Sequence, residues 1–369
     1  MSIFQEISAR IKDEGFIPID EFMQIAMTGA NLSYYRSKQP LGAEGDFITA
    51  PEISQIFGEM LAIWCIDAWE KLGKPSKCNL LEYGSGRGNL IRDLLRTAQK
   101  TQEFYDALDI WIIDINPKLI EIQQEILTQF VDKKIKWIGK IEEVEAFPTI
   151  ILANEFFDAL PIKQYEKQDV GWKEKILVIS EDKKSLKFAS RNIDLAQDRA
   201  LSIEYFNAPT GAIYEKSAES LSIIEQISEH IGQNKGAALI IDYGYDIDPE
   251  YRTETQYNST LQAVKNHKYI DVFDEVGEAD ISAHVDFFAL KKAASSQYVF
   301  GAISQSQLLR SCGIDIRLQA LMKHNPDLSH ILQNQYDRLM DKDKMGELFK
   351  AIAIFSEENP PLGFIRHIF

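Results

Sequence analysis

From Cys78 onward the chain sets short apolar runs, CNLLEY, DIWIID, KIKWIG, TIILAN and AALIIDYG, between amphipathic stretches. Runs of that length separated by helices predict buried strands. Such alternation demands a parallel sheet with helices on both faces, because parallel neighbours can be joined only by long crossovers. The expected fold class is therefore α/β with a Rossmann-like sheet. Helices are predicted near residues 89–98, 117–130 and 215–231, the second with Asn116 as cap and Pro117 in its first position. Residues 162–213 break the rhythm: KQYEKQDVGWKEKILVISEDKKSLKFAS alternates polar and apolar residues and predicts an inserted antiparallel β-meander. QYVFGAIS predicts a further strand, Ser304 and Gln307 a capping box, residues 305–343 a helical insertion, and LFKAIAIFS the last strand.

Residues 1–73 read as an N-terminal helical cap, leaving 74–369 as the α/β domain that carries both insertions. In the best helix of the cap, Thr49 and Glu52 form a capping box with Pro51 in the first turn. Ile53, Ile56, Phe57, Met60, Leu61, Trp64, Cys65 and Ala68 follow at helical spacing, and Gly73 ends the run. Trp64 reads as core.

Charge and composition exclude several classes. Forty basic against 56 acidic residues leave a net charge of −16, which repels a phosphate backbone and speaks against a nucleic-acid partner. No stretch approaches the roughly 18 apolar residues of a membrane span. The start, MSIFQEISARIKDEG, lacks the basic and apolar regions of a secretory signal. Cys65, Cys78 and Cys312 are odd in number and far apart, so a reducing compartment, most simply the cytoplasm, is expected. His324 and His330 flank a proline with no acids at ligand spacing, and no metal site is expected.

The segment LLEYGSGRGNL joins the first predicted strand to a helix and places Gly84, Gly86 and Gly88 at every second position. Backbone approaches a ligand closely only where side chains are missing. A dinucleotide loop wants G-x-G-x-x-G facing a pyrophosphate, whereas here the third glycine arrives one residue early. Glu82, two residues before Gly84, suits a cation better than a phosphate, and the ammonium and sulfonium of S-adenosylmethionine supply one. Asp114 ends the second strand, placed to accept hydrogen bonds from both ribose hydroxyls of either cofactor. The spacing favours S-adenosylmethionine.

In order along the chain, EGDFITAPEISQIFGEM, LEYGSGRGNLIRDLLR, ANEFFDALPIKQY, IIDYG, GEADISAHVDF and MGELFKAIAI resemble the MidA-like family of class I methyltransferases, over roughly residues 3–356. The resemblance implies a seven-stranded sheet ending in an antiparallel hairpin, and a cap whose Asp46 and Phe47 close over the cofactor. From the residues alone, Asp46 and Phe47 read equally well as a turn before Thr49. The family's mitochondrial members are complex I assembly factors that methylate an arginine of a complex I subunit, which implies a protein substrate; a small-molecule acceptor, or a methyltransferase-like fold that chaperones an unassembled subunit without catalysis, stays open. One departure stands out: the family loop reads Gly-Pro-Gly-Arg-Gly, and Ser85 replaces the proline. Serine there raises unfolded-state entropy, worth about 0.4–1 kcal/mol.

Methyl transfer from a sulfonium is an in-line displacement, so the protein's task is to align a lone pair and exclude water. An arginine acceptor, with a pKa of about 12.5–13.8, needs carboxylates to pin its charge and receive its proton. ANEFFDALP places Glu155 at the carboxyl end of the fourth strand as the candidate to hold a guanidinium, with Asn154 and Asp158 to orient it or the cofactor. His284 lies two residues from Asp286, and its position leaves two roles open, a general base or a helix-start histidine with a structural hydrogen bond. Asp242, ending the fifth strand, is a candidate cap for the next turn.

Overall fold

The computed structural model describes residues 3–29, 33–34, 49–182, 185–294 and 297–364. All the predicted strands of the main sheet form: β1 (Cys78–Tyr83), β2 (Leu108–Ile113), β3 (Ile135–Ile138), β4 (Thr149–Asn154), β5 (Gly236–Tyr245), β6 (Tyr298–Ser304) and β7 (Phe349–Phe355). They lie in the order β3-β2-β1-β4-β5-β7-β6, with β7 antiparallel to both neighbours and the other pairs parallel. The sheet is eight-stranded rather than seven-stranded, because Val285–Asp286 pairs with Gly244 and Tyr245. β5 runs past the end of β4, and that overhang leaves ladder groups for a short added strand.

Alternation along the strands divides the core. On β4, Ile150 and Leu152 face one side while Ile151 and Ala153 face the other, and Leu239 and Ile240 divide the same way on β5. The first side is covered by helices Gln55–Lys71, Asn89–Ala98 and the insertion before β7; the second by Ala218–Asn234 and Phe287–Ala293. Trp64 is fully buried in the first core.

Residues expected to form the cap make two sets of contacts. Helix Gln55–Lys71 packs on the sheet side, whereas Ile3–Glu14 and Ile19–Thr28 share a core with the meander and with strand Asp280–Ser282, joining Ile7, Phe22 and Met27 to Leu177 and Ile281. The helix drawn from Thr49 is two helices, Ala50–Ile53 and Gln55–Lys71, interrupted where Ser54 is extended (φ −156°). Thr49 stands at the first N-terminus without a side-chain cap bond, and the capping hydroxyl is Ser54, accepting from the Ile56 amide at 3.3 Å.

The meander forms from Lys163–Lys167, Trp172–Ile179 and Leu186–Asn192, extended by Ile17–Pro18 and Ile213–Lys216 into an antiparallel five-stranded sheet. Glu215 therefore belongs to a strand, and the helix predicted from it starts at Ala218, capped by Ser217. Elements beyond the predicted set include helices Gln102–Ala107 and Leu195–Glu204 and a three-stranded sheet of Gln262–Lys265, Lys268–Ile270 and Asp280–Ser282. Among the described residues no helix is long and apolar enough to cross a membrane.

The helical insertion is tied to the sheet core by an ion pair. Arg317 donates through Nε and Nη2 to the two oxygens of the buried Glu59, at 2.6 and 2.9 Å, and Arg96 lies 3.5 Å from the same carboxylate. Replacing Arg317 by Met is expected to lower stability by roughly 1–3 kcal/mol, the usual worth of hydrogen bonds to a charged group, read as a lower urea midpoint at unchanged slope.

Candidate active site

The carboxyl ends of β1, β2 and β4 open into a cavity of about 520 Å³. The glycine loop forms its floor. Gly84, Gly86 and Gly88 have φ of 62°, 54° and 82°, a region that side-chain-bearing residues rarely adopt. A Cβ on Gly84 would come within 2.9 Å of the Phe156 ring, so the cradle depends on a bare backbone there. Gly88 is the left-handed residue from which helix Asn89–Ala98 starts.

Glu82 is buried at the end of β1, and burial pushes its carboxyl up to about 7; the Asp114 charge adds to the rise, while a hydrogen bond from Ser85 opposes it. That bond, from Ser85 Oγ to Glu82 Oε2 at 2.5 Å, is one that the family's proline has no donor to make. Asp114, also raised by burial, accepts from the Asn116 amide at 2.9 Å and from Gln123 Nε2 at 2.7 Å.

Gln123 was not among the predicted site residues. Fully buried, its amide also donates to the Gly86 carbonyl at 2.8 Å and accepts from Trp137 Nε1 at 2.8 Å. One side chain thus fixes the spacing between glycine loop, β2 acid and β3. The signal in the sequence is its place between Leu119 and Leu127 on the buried stripe of helix Pro117–Leu127, where an amide needs partners.

On the far side stands Glu155, left-handed at φ 51° and partly buried. Its Oε1 accepts from the Ala50 amide at 2.8 Å and from Asn154 Nδ2 at 3.1 Å. Burial pushes its carboxyl up to about 8, and the charges of Asp158 and Glu52 act in the same direction. The turn carrying it is anchored by the fully buried Asp242, which accepts from the amides of Phe157 (2.9 Å), Asp158 (3.2 Å) and Tyr243 (2.9 Å). Asp242 is thus a cap, though of the turn after β4 as well as of its own.

The cavity brings together Glu82, Gly84, Gly86, Asp114, Asn154 and Glu155; Gly88 stands between the lining residues Arg87 and Asn89 without lining the cavity itself. Asp158 lies behind that lining, its carboxyl pushed up to about 6 by burial. His284 faces a small neighbouring pocket lined by Phe157, Ser217 and Asp286; burial lowers its pKa, and its ring stands edge-on to Tyr243. Asp286 is engaged by Arg252 at 2.7 Å and caps helix Phe287–Ala293. Asp46 and Phe47 lie outside the described residues. Among the described residues no cluster of three or more His, Cys, Asp or Glu could hold a metal ion.

A left-handed glycine cradle between the buried Glu82 and the half-buried Asp114, at the top of a β3-β2-β1-β4-β5-β7-β6 sheet, fits S-adenosylmethionine by offering bare backbone for close approach with two acids beside it. Residues 60–303 match a family described as "Putative S-adenosyl-L-methionine-dependent methyltransferase". The chain belongs to that family, the MidA-like methyltransferases, and its cofactor is S-adenosylmethionine. It is 36% identical to the Danio rerio protein named Protein arginine methyltransferase NDUFAF7, mitochondrial, over 96% of this chain and 87% of that one. The Homo sapiens protein of the same name is 33% identical over 96% and 84%. A protein of Burkholderia thailandensis solved with S-adenosyl-homocysteine superposes with a TM-score of 0.87 at 25% identity, covering 100% of this chain and 96% of that one.

Two outcomes follow from this geometry. Gln123→Leu keeps the volume but removes the amide, and S-adenosyl-homocysteine affinity measured by calorimetry is expected to fall roughly ten- to a hundredfold. For Glu155, a folded value of about 8 against an ordinary 4.5 means that the native state holds a proton the unfolded chain has already released. Stability is then lost as pH rises through that window. Glu155→Gln should unfold at a higher temperature than the parent near pH 8.5, with the gap closing toward about pH 5, as scanning calorimetry at both pH values will show.

Proposed function

We propose that this chain is a protein arginine N-methyltransferase acting on a subunit of respiratory complex I and supporting assembly of that complex. The observation that carries the proposal is Glu155, a carboxylate beside Gly84 and Phe156 in the cofactor cavity, held in left-handed backbone by its anchored turn. Non-glycine residues adopt that conformation at a cost of about 1–3 kcal/mol, and such strain concentrates where a group must be aimed. The names of the curated relatives point the same way. Residues 74–369 serve as the catalytic domain in this proposal, and residues 1–73 as the part that covers it, consistent with Met23 and Met27 in the lining.

S-adenosylmethionine, when bound, supplies an electrophilic methyl group. Glu155 and Asn154 hold the acceptor guanidinium so that one nitrogen faces that methyl. As the nitrogen–carbon bond forms and the carbon–sulfur bond breaks, the sulfur keeps the electron pair and the nitrogen gives up a proton to the Glu155 carboxylate, then to water. A carboxyl near 8 is half protonated at that pH, and a bound cation pulls it down toward the ionised form that binding needs.

The test is incubation of the protein with labelled S-adenosylmethionine and an extract from cells lacking it, followed by mass spectrometry of whatever becomes labelled. Methylarginine in a complex I subunit is expected. Glu155→Gln should reduce labelling at least about a hundredfold, since charged hydrogen bonds to a reacting group are worth several kcal/mol, while cofactor affinity is kept. Intact complex I assembly without labelling would instead mark the protein as a binding chaperone.

A further inference from the structure

Beyond the cofactor cradle the cavity has an apolar wall, with Met23 and Met27 on one helix facing Phe156, Leu160 and Ile223. Two further carboxylates share it with Glu155: Glu219, raised by burial, and Glu52. The basic side chains in the described lining, Arg87 and Lys140, sit in the glycine loop and just after β3, at the cofactor's end. The acceptor's end therefore presents acid and hydrocarbon. That is the complement of a cation carried on an apolar stem.

Within that set, Glu52 and Glu155 are mechanically linked. Glu52 rides on the short helix Ala50–Ile53, and the first amide of that helix donates to Glu155 Oε1 at 2.8 Å. Their electrostatic reach is direct, since the Glu52 charge is one of those raising Glu155. Two like charges confined in one cavity repel until a cation sits between them. A guanidinium meets such a pair better than an ammonium does, because its planar fork offers five N–H donors in fixed directions.

We propose that Glu52 is the second acceptor-holding carboxylate, gripping the guanidinium opposite Glu155 and setting specificity for arginine, with the alkyl stem against Met23 and Met27. The assignment rests on the arginine acceptor argued above. It explains why the turn after β4 reaches across to Ala50: the bond sets the gap between the two acids.

The test uses the full chain saturated with S-adenosyl-homocysteine and two probes, Nα-acetyl-arginine methylamide and its uncharged citrulline counterpart, with binding measured by calorimetry. The unmodified protein should prefer the arginine probe at least about tenfold, and Glu52→Gln should erase about tenfold of that preference without changing S-adenosyl-homocysteine affinity. Glu52→Asp should keep part of it. An unchanged preference in Glu52→Gln, or none in the unmodified protein, overturns the assignment. Labelled extract separates the failures: methylarginine made by the unmodified protein leaves the arginine acceptor standing while Glu52 falls, and its absence overturns both.

Discussion

The site hangs on buried polar groups whose bonds go to the protein itself. Asp242, with no exposure, takes three amides, and in doing so holds the turn after β4 in the shape that aims Glu155. Gln123 does the corresponding work on the donor side, tying Gly86 to Asp114 and Trp137. Buried polar groups cost free energy unless fully bonded, so each of these networks admits one arrangement and penalises others.

Much of this was legible in the chain. Periodicity located the strands of the main sheet because each is a short apolar run bounded by turn chemistry, and the glycine spacing singled out the cradle. The misplacements have local causes. Ser54 splits a helix that hydrophobic spacing drew as continuous, since its extended backbone leaves the apolar stripe intact on either side. Glu215 reads as helical because its strand is only four residues long, too short to show a period of two. The strands of the three-stranded sheet are shorter still or of equal length. Gln123 was hidden by its company: an amide on an apolar stripe reveals its role only once its partners, distant in sequence, are in place. His284 shares its small pocket with Asp286, while its ring stands against Tyr243 and its amide donates to the Thr260 hydroxyl.

Ser85 illustrates how a departure from a family pattern is absorbed. Proline would stiffen the loop by restricting the unfolded chain; serine gives up that restriction but supplies a hydroxyl to a buried acid. Hydrogen bonds to charged groups are worth about 1.5–3 kcal/mol, so the exchange offsets the lost rigidity.

The cavity's walls belong to different cores. The cradle is built on the sheet, whereas Met23 and Met27 are packed with the meander and the small three-stranded sheet, and Met27 Sδ even accepts the Ile281 amide at 3.3 Å. Substitutions in the meander, remote from the glycine loop, can therefore reshape one wall while the other stays fixed. Divergence in the meander can thus alter one side of the cavity while the glycine loop and its acids stay as they are.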